Sequence, residues 1–147
     1  MRVISHRGNL GGPGKDSAPG DVRAALDAGF DVEVDVRMDR QGGLRLGHDA
    51  FGEIVPEWML ADSRVWFHAK NYAAAACLGG LDVKVFCHDN DPFVIIGGRL
   101  WVHPNTDVDP SQVKNAILLD IAGFNRLNRW LGDAAFAVCS DWPEEWK

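Results

Sequence analysis

The chain carries five histidines, His6, His48, His68, His88 and His103, each at or just beyond the end of a short apolar run. An imidazole with a pKa near ~6.5 can accept or donate a proton at neutral pH. One such residue at a strand end is ordinary; five in the same local setting point to side chains gathered at one rim. The run "DVEVDV" supplies carboxylates instead. Side chains alternate along a strand, so Glu33 and Asp35 share one face while Val32, Val34 and Val36 share the other. Two carboxylates on a buried face repel unless a cation or proton compensates them. In the same way "VWFHAKN" places His68 with Lys70, and "LRLGHD" aligns Leu44, Leu46 and His48. Carboxylate oxygens suit Mg²⁺ or Ca²⁺.

The elements that must position these residues follow from periodicity. Strands are expected near 2–6, 31–36, 43–47, 65–70, 83–87, 100–102, 116–120 and 135–139. Several, such as "NAILLDIA", are apolar on both faces, as buried parallel strands are. Helices are expected over 20–28, where Val22, Ala25 and Leu26 share a face and Gly29 stops the run, over 71–78, and over 124–131. "NLGGPGKDSAPG" reads as a mobile Gly/Pro-rich loop. Strands alternating with helices imply a parallel α/β arrangement, and eight strands suggest a (β/α)8 barrel with its site at the C-terminal strand ends. Such barrels typically need about 250 residues, and this chain has 147. The expectation is a single domain, 1–147, folded as a compact or helix-depleted (β/α)8 TIM-type barrel. An open doubly wound sheet is the alternative.

Composition narrows the class. Apolar residues make up 46% of the chain, enough for one core, and the net charge is −6 at pH 7. A pI of about 5.2 argues against nucleic-acid binding. No run of about 18 apolar residues appears, so no stable membrane insertion is expected. "MRVISHRGN" lacks the apolar core of a signal peptide, which favours a cytoplasmic location. Cys77, Cys87 and Cys139 form no CxxC and read as buried thiols.

Taken in order, His6-Arg7-Gly8, Glu33-x-Asp35, the Gly42-Gly43 turn and His48-Asp49 resemble the glycerophosphodiester phosphodiesterase family of the PLC-like phosphodiesterase superfamily. "FHAKN", "FCHDND", "LWVHPN" and "VCSDWP" resemble later strands of a short bacterial or phage branch of that group. The resemblance covers most of the chain, is strong through residue 49 and is loose from about 92 to 134. It implies a metal-assisted phosphoric diester hydrolase acting on a small glycerophosphodiester-like or phospholipid-derived substrate. Carried over by position, His6 and His48 are the acid/base pair. Glu33 and Asp35 bind a divalent cation (Mg²⁺, Ca²⁺ or Mn²⁺), and Arg7 and Lys70 hold phosphate or orient the carboxylates. His68 stands where the family has a glutamate as third metal ligand, and Ser17-Ala18-Pro19 stands in the region of its Glu-Asn-Thr stretch.

The residue types suit that chemistry. Phosphodiester cleavage takes a proton from the attacking hydroxyl or water and gives one to the leaving alkoxide, and two histidines can do both. Fixed cations stabilise the negative charge that the phosphoryl group gains. Lys70, next to the carboxylates, is expected to balance their charge. Water as the attacker gives hydrolysis, whereas a neighbouring substrate hydroxyl gives a cyclic phosphate; both stay open. The alternative from another class is a catalytically silent module of the same fold that binds a phosphorylated ligand.

Overall fold

A computed structural model describes residues 1–147. Its strands are β1 (Arg2–His6), β2 (Asp31–Met38), β3 (Leu44–Leu46), β4 (Val65–Ala69), β5 (Lys84–Phe86), β6 (Phe93–Ile96), β7 (Arg99–Val102), β8 (Ala116–Asp120) and β9 (Ala137–Ser140). The helices are few and short: α1 (Pro19–Asp27), α2 (Glu57–Ala61), α3 (Tyr72–Gly79) and α4 (Arg129–Ala134), with 3-10 turns at Pro110–Asn115 and Pro143–Trp146. None is long and apolar enough to cross a membrane.

All nine strands belong to one sheet, in the order β5-β4-β2-β1-β9-β8-β7-β6, with β3 on β2 outside that path. Neighbours from β5 round to β7 are parallel, and β6 is antiparallel to β7. The path curls into a nearly closed barrel, and no ladder joins β5 to β6. Side chains from both ends of the path meet inside it, among them Ile4, Trp66, Phe86, Trp101, Ile117 and Cys139. Phe86 and Trp101 face each other across the seam with ring centroids 4.3 Å apart. β2 adds no apolar side chain to this interior cluster, because its inward face is acidic.

Alternation then decides the outer layer. Trp66 and His68 of β4 point inward, while Val65 and Phe67 point outward. They join Val32, Val34 and Val36 in a core against Val22, Ala25 and Leu26 of α1, Met59 of α2 and Leu78 of α3. Burying each such side chain contributes about 1.5–3 kcal/mol relative to exposure. A smaller cluster, Val102, Val113, Ala116, Leu118 and Ala135, seals the far side. Two clusters outside and one inside make a barrel wall buried on both faces, as the apolar runs implied.

Four expectations need correction. The third strand is no barrel stave: β3 returns antiparallel along β2, with Leu46 opposite Val36. An unexpected strand, β6, fills the place of a helix after β5. Its hairpin closes on Gly97 and Gly98, with φ of 55° and 76°, as a type I′ turn requires. Residues 121–128 form no helix. The buried Asp120 carboxylate instead accepts the Leu127 N–H at 3.0 Å and the Arg126 guanidinium at 2.9 and 3.0 Å, fixing a turn, and α4 begins only after Asn128. Of the cysteines only Cys139 is buried; Cys77 and Cys87 are exposed.

Candidate active site

β1 delivers His6 to the C-terminal rim, where the chain turns at once. Arg7 takes φ of 56° and Gly8 of 85°. A left-handed conformation costs a non-glycine residue about 1–2 kcal/mol. Arg7 is held there by its N–H, which donates to the Glu33 carbonyl at 2.9 Å, and its C=O, which accepts from the Ser17 N–H at 3.0 Å. A Cβ on Gly8 would meet the Asp21 backbone at 3.0 Å, so the start of α1 packs against the turn. The turn aims Arg7 inward, and its Nε lies 2.7 Å from Asp35 Oδ2. His-Arg-Gly is therefore a geometric unit: a rim imidazole, an inward cation, and room for a helix.

Strand register does the rest. Glu33 lies opposite His6 across the β1–β2 ladder, and His68 lies opposite Asp35 across the β2–β4 ladder. His68 Nδ1 is 3.1 Å from Asp35 Oδ1 and 3.5 Å from Glu33 Oε1. Burial pushes the His68 pKa down, but the Asp35 and Glu33 carboxylates outweigh it and raise it to about 9. Burial likewise pushes Asp35 up, and His68 and Arg7 outweigh it and lower it to about 2. The His68 ring lies nearly parallel to those of Phe86 and His88, at centroid distances of 4.7 and 4.8 Å.

Glu33, Asp35 and His68 could hold a metal ion: all three are buried, and one ligand atom of each lies within 4.8 Å of the others. Glu33 Oε2 and both Asp35 oxygens are buried without a hydrogen bond. The two groups beside Asp35 attract it by charge but sit off the line of a hydrogen bond. Donorless buried oxygens are uncommon, and they are what a cation needs. The residues present therefore fit a divalent ion.

His48 arrives by another route. β2 runs past the rim to Met38, and β3 brings the chain back, until the Gly47 N–H donates to the Asp35 carbonyl at 2.9 Å. Arg37 Nε donates to the His48 carbonyl at 2.8 Å, and the His48 N–H donates to Asp16 Oδ1 at 3.0 Å. Asp16 belongs to the Gly/Pro-rich loop, which is pinned again where Ser17 Oγ accepts the Asp35 N–H at 3.1 Å. Two contacts, at Asp16 and Ser17, thus tie the end of that loop to the strand ends at the mouth.

A cleft of about 220 Å³ at the mouth is lined by all five histidines together with Arg7, Glu33 and Lys70. Lys70 pairs with neither carboxylate; the cations beside them are Arg7 and His68. Lys70 is thus left facing the cleft, free to meet an anion. Wider grooves of about 680 and 320 Å³ adjoin the cleft, and His48 borders all three.

One residue escaped the sequence reading. Asp141, just past β9, lies 2.6 Å from His6 Nδ1, and it also accepts from Asn9 Nδ2 at 2.7 Å and from the Ala122 N–H at 2.7 Å. Burial pushes its carboxyl up, but His6 and these donors hold it below the usual range. The signal was an acidic residue at the end of the apolar run "FAVCSD", the same cue that marks the histidines. Comparison with protein-family models, curated proteins and solved structures gives no match, so the geometry of the mouth carries the functional reading.

Proposed function

We propose that the protein is a metal-assisted phosphoric diester hydrolase on a compact, helix-depleted TIM-type barrel of the PLC-like phosphodiesterase kind. One observation carries the reading. Two histidines at or beyond the ends of different strands border a single cleft with a buried carboxylate pair, three of whose four oxygens lack hydrogen-bond donors. With Nδ1 engaged by Asp141, His6 keeps Nε2 free to take a proton from the attacking water or hydroxyl. His48, half-exposed where the three grooves meet, returns a proton to the leaving alkoxide. Arg7 and Lys70 hold phosphoryl oxygens. Glu33, Asp35 and His68 would ligate Mg²⁺, Ca²⁺ or Mn²⁺, with the imidazole favouring Mn²⁺. When bound, the ion supplies positive charge to the developing phosphorane-like oxygens.

The test is turnover of bis(p-nitrophenyl) phosphate and of a glycerophosphodiester with added Mn²⁺ or Mg²⁺, and with chelator. Metal-dependent release of the alcohol is expected. No release with any divalent cation ends the reading.

A silent phosphate-binding module is the second reading, and His68 favours it. Standing between Glu33 and Asp35, a protonated His68 together with Arg7 balances the two carboxylates without any metal. Phosphate binding that does not respond to metal, with no turnover, identifies that case.

A further inference from the structure

The mouth is divided by chemistry. β1, β2, β4, β5 and the loops beyond them supply His6, Arg7, Glu33, His48, His68, Lys70, His88 and Asp89. The opposite wall, from β7, β8 and their loops, is Trp101, His103, Pro104, Leu119, Ile121 and Phe124. It contains no Asp, Glu, Lys or Arg. We propose that this wall is a specificity subsite, seating a compact aryl or alkyl arm of the diester. The inference rests on the phosphodiesterase reading and narrows its substrate.

Three observations converge. A glycerol or sugar arm carries a hydroxyl on nearly every carbon, and each one buried without a partner is unfavourable. The wall offers such hydroxyls few partners: His103 Nδ1 already accepts the Asn105 N–H at 3.3 Å, which leaves that residue only its Nε2–H to donate. An aryl or alkyl group gains by leaving water there. Next, Phe124 is 37% exposed although it is large and apolar. Its ring stands edge-on to His103 with centroids 5.6 Å apart, so a face stays free for a ligand. Last, the cleft of about 220 Å³ is smaller than drug-sized sites of roughly 300–1,000 Å³, which limits the arm to about one ring. The polar arm has its own place. The 320 Å³ groove beyond His6 is lined by Lys15, whose exposed ammonium keeps donors for hydroxyls beyond its pairing with Asp21.

The experiment is calorimetric titration of the full chain, with Mn²⁺ present, using phenyl phosphate and glycerol 3-phosphate as probes. Wild type should bind phenyl phosphate at least about tenfold more tightly, and Phe124→Ala should shrink the preference to about threefold or less while leaving glycerol 3-phosphate unchanged. Ile121→Ser is the second variant, in case the first unsettles the loop. Equal binding of the two probes by wild type, or a preference that survives both substitutions, overturns the subsite and leaves the phosphodiesterase reading intact. Failure of wild type to bind either phosphate ends that reading and the subsite with it.

Discussion

Oδ1 of Asp141 lies 2.6 Å from Nδ1 of His6, across 135 residues of sequence. The β1–β9 ladder brings them together, because Ser5 pairs with Ser140 and each next residue turns into the mouth. A carboxylate on Nδ1 fixes the tautomer and stabilises the imidazolium that forms when Nε2 takes a proton.

Asp141→Asn removes that charge while keeping the shape. Turnover of an alkyl phosphodiester should fall on the order of 10²-fold or more. Affinity for Mn²⁺ should hold, because Asp141 lies outside the Glu33–Asp35–His68 set. Steady-state kinetics beside metal titration separates the two. Loss of both together would place Asp141 in the metal site.

Repulsion between Glu33 and Asp35 suggests, from sequence alone, that neutralising either leaves the fold intact or more stable. The structure reverses this for Asp35, which has Arg7 and His68 beside it. Its carboxyl is lowered from 3.8 to about 2, so this pairing contributes stability above pH ~4 that is lost as pH falls through about 2. Asp35→Asn in the metal-free protein should therefore cost about 2 kcal/mol, read by urea unfolding at pH 7. Both Asp35→Asn and Glu33→Gln should abolish cation binding. A more stable Asp35→Asn variant would falsify the ion-pair account.

His68 has the opposite sign. Its pKa rises from 6.5 to about 9 on folding, so its contribution is complete below pH 6.5 and is lost as pH rises through about 9. The metal-free protein should lose up to about 3 kcal/mol between these limits, and His68→Gln should remove most of that slope. Binding Mn²⁺ below pH 9 must displace the proton, so calorimetry in buffers of different ionisation enthalpy should detect roughly one proton released. Thermal melts that run parallel for wild type and variant across this window would detach His68 from the carboxylates.

Leaving groups should tell the roles proposed for His6 and His48 apart. A nitrophenolate departs without a proton, whereas an alkoxide needs one. His48→Ala should therefore spare bis(p-nitrophenyl) phosphate far more than an alkyl diester. His6→Ala should lose both activities by on the order of 10²–10⁴-fold, as for removal of a general base. The reverse pattern would exchange their roles.

Much of the mouth was legible because strands report their facing through alternation. "DVEVDV" announced two inward carboxylates, and β2 places them there. Val22, Ala25 and Leu26 announced the buried face of α1. What stayed hidden depended on partners remote in sequence. Whether β3 runs parallel or returns along β2 is a pairing choice that "LRLGHD" alone does not encode, yet both routes end with His48 at the rim. Residues 124–131 have helical spacing, but Asp120 claims Arg126 and Leu127 first. Lys70 beside two carboxylates looked like their counter-ion, and only the fold shows Arg7 nearer. β6 was missed for another reason: its Gly97-Gly98 turn was in plain view, and the run before it is short and largely exposed.

The seam between β5 and β6 makes the barrel a split collar. Around a closed barrel, hydrogen bonds fix the circumference; here the last link is the contact of Phe86 with Trp101. His88 follows β5 and His103 follows β7, so the gap lies under the mouth itself. Spreading it costs ring contacts and no ladder bonds. The collar can thus yield to an entering ligand and spring back, while the paired arc through β4, β2, β1, β9 and β8 keeps Glu33, Asp35 and His68 and the His6–Asp141 pair in register. Amide exchange should trace that division, fastest at 84–86 and 93–96 and slowest along β1 and β9.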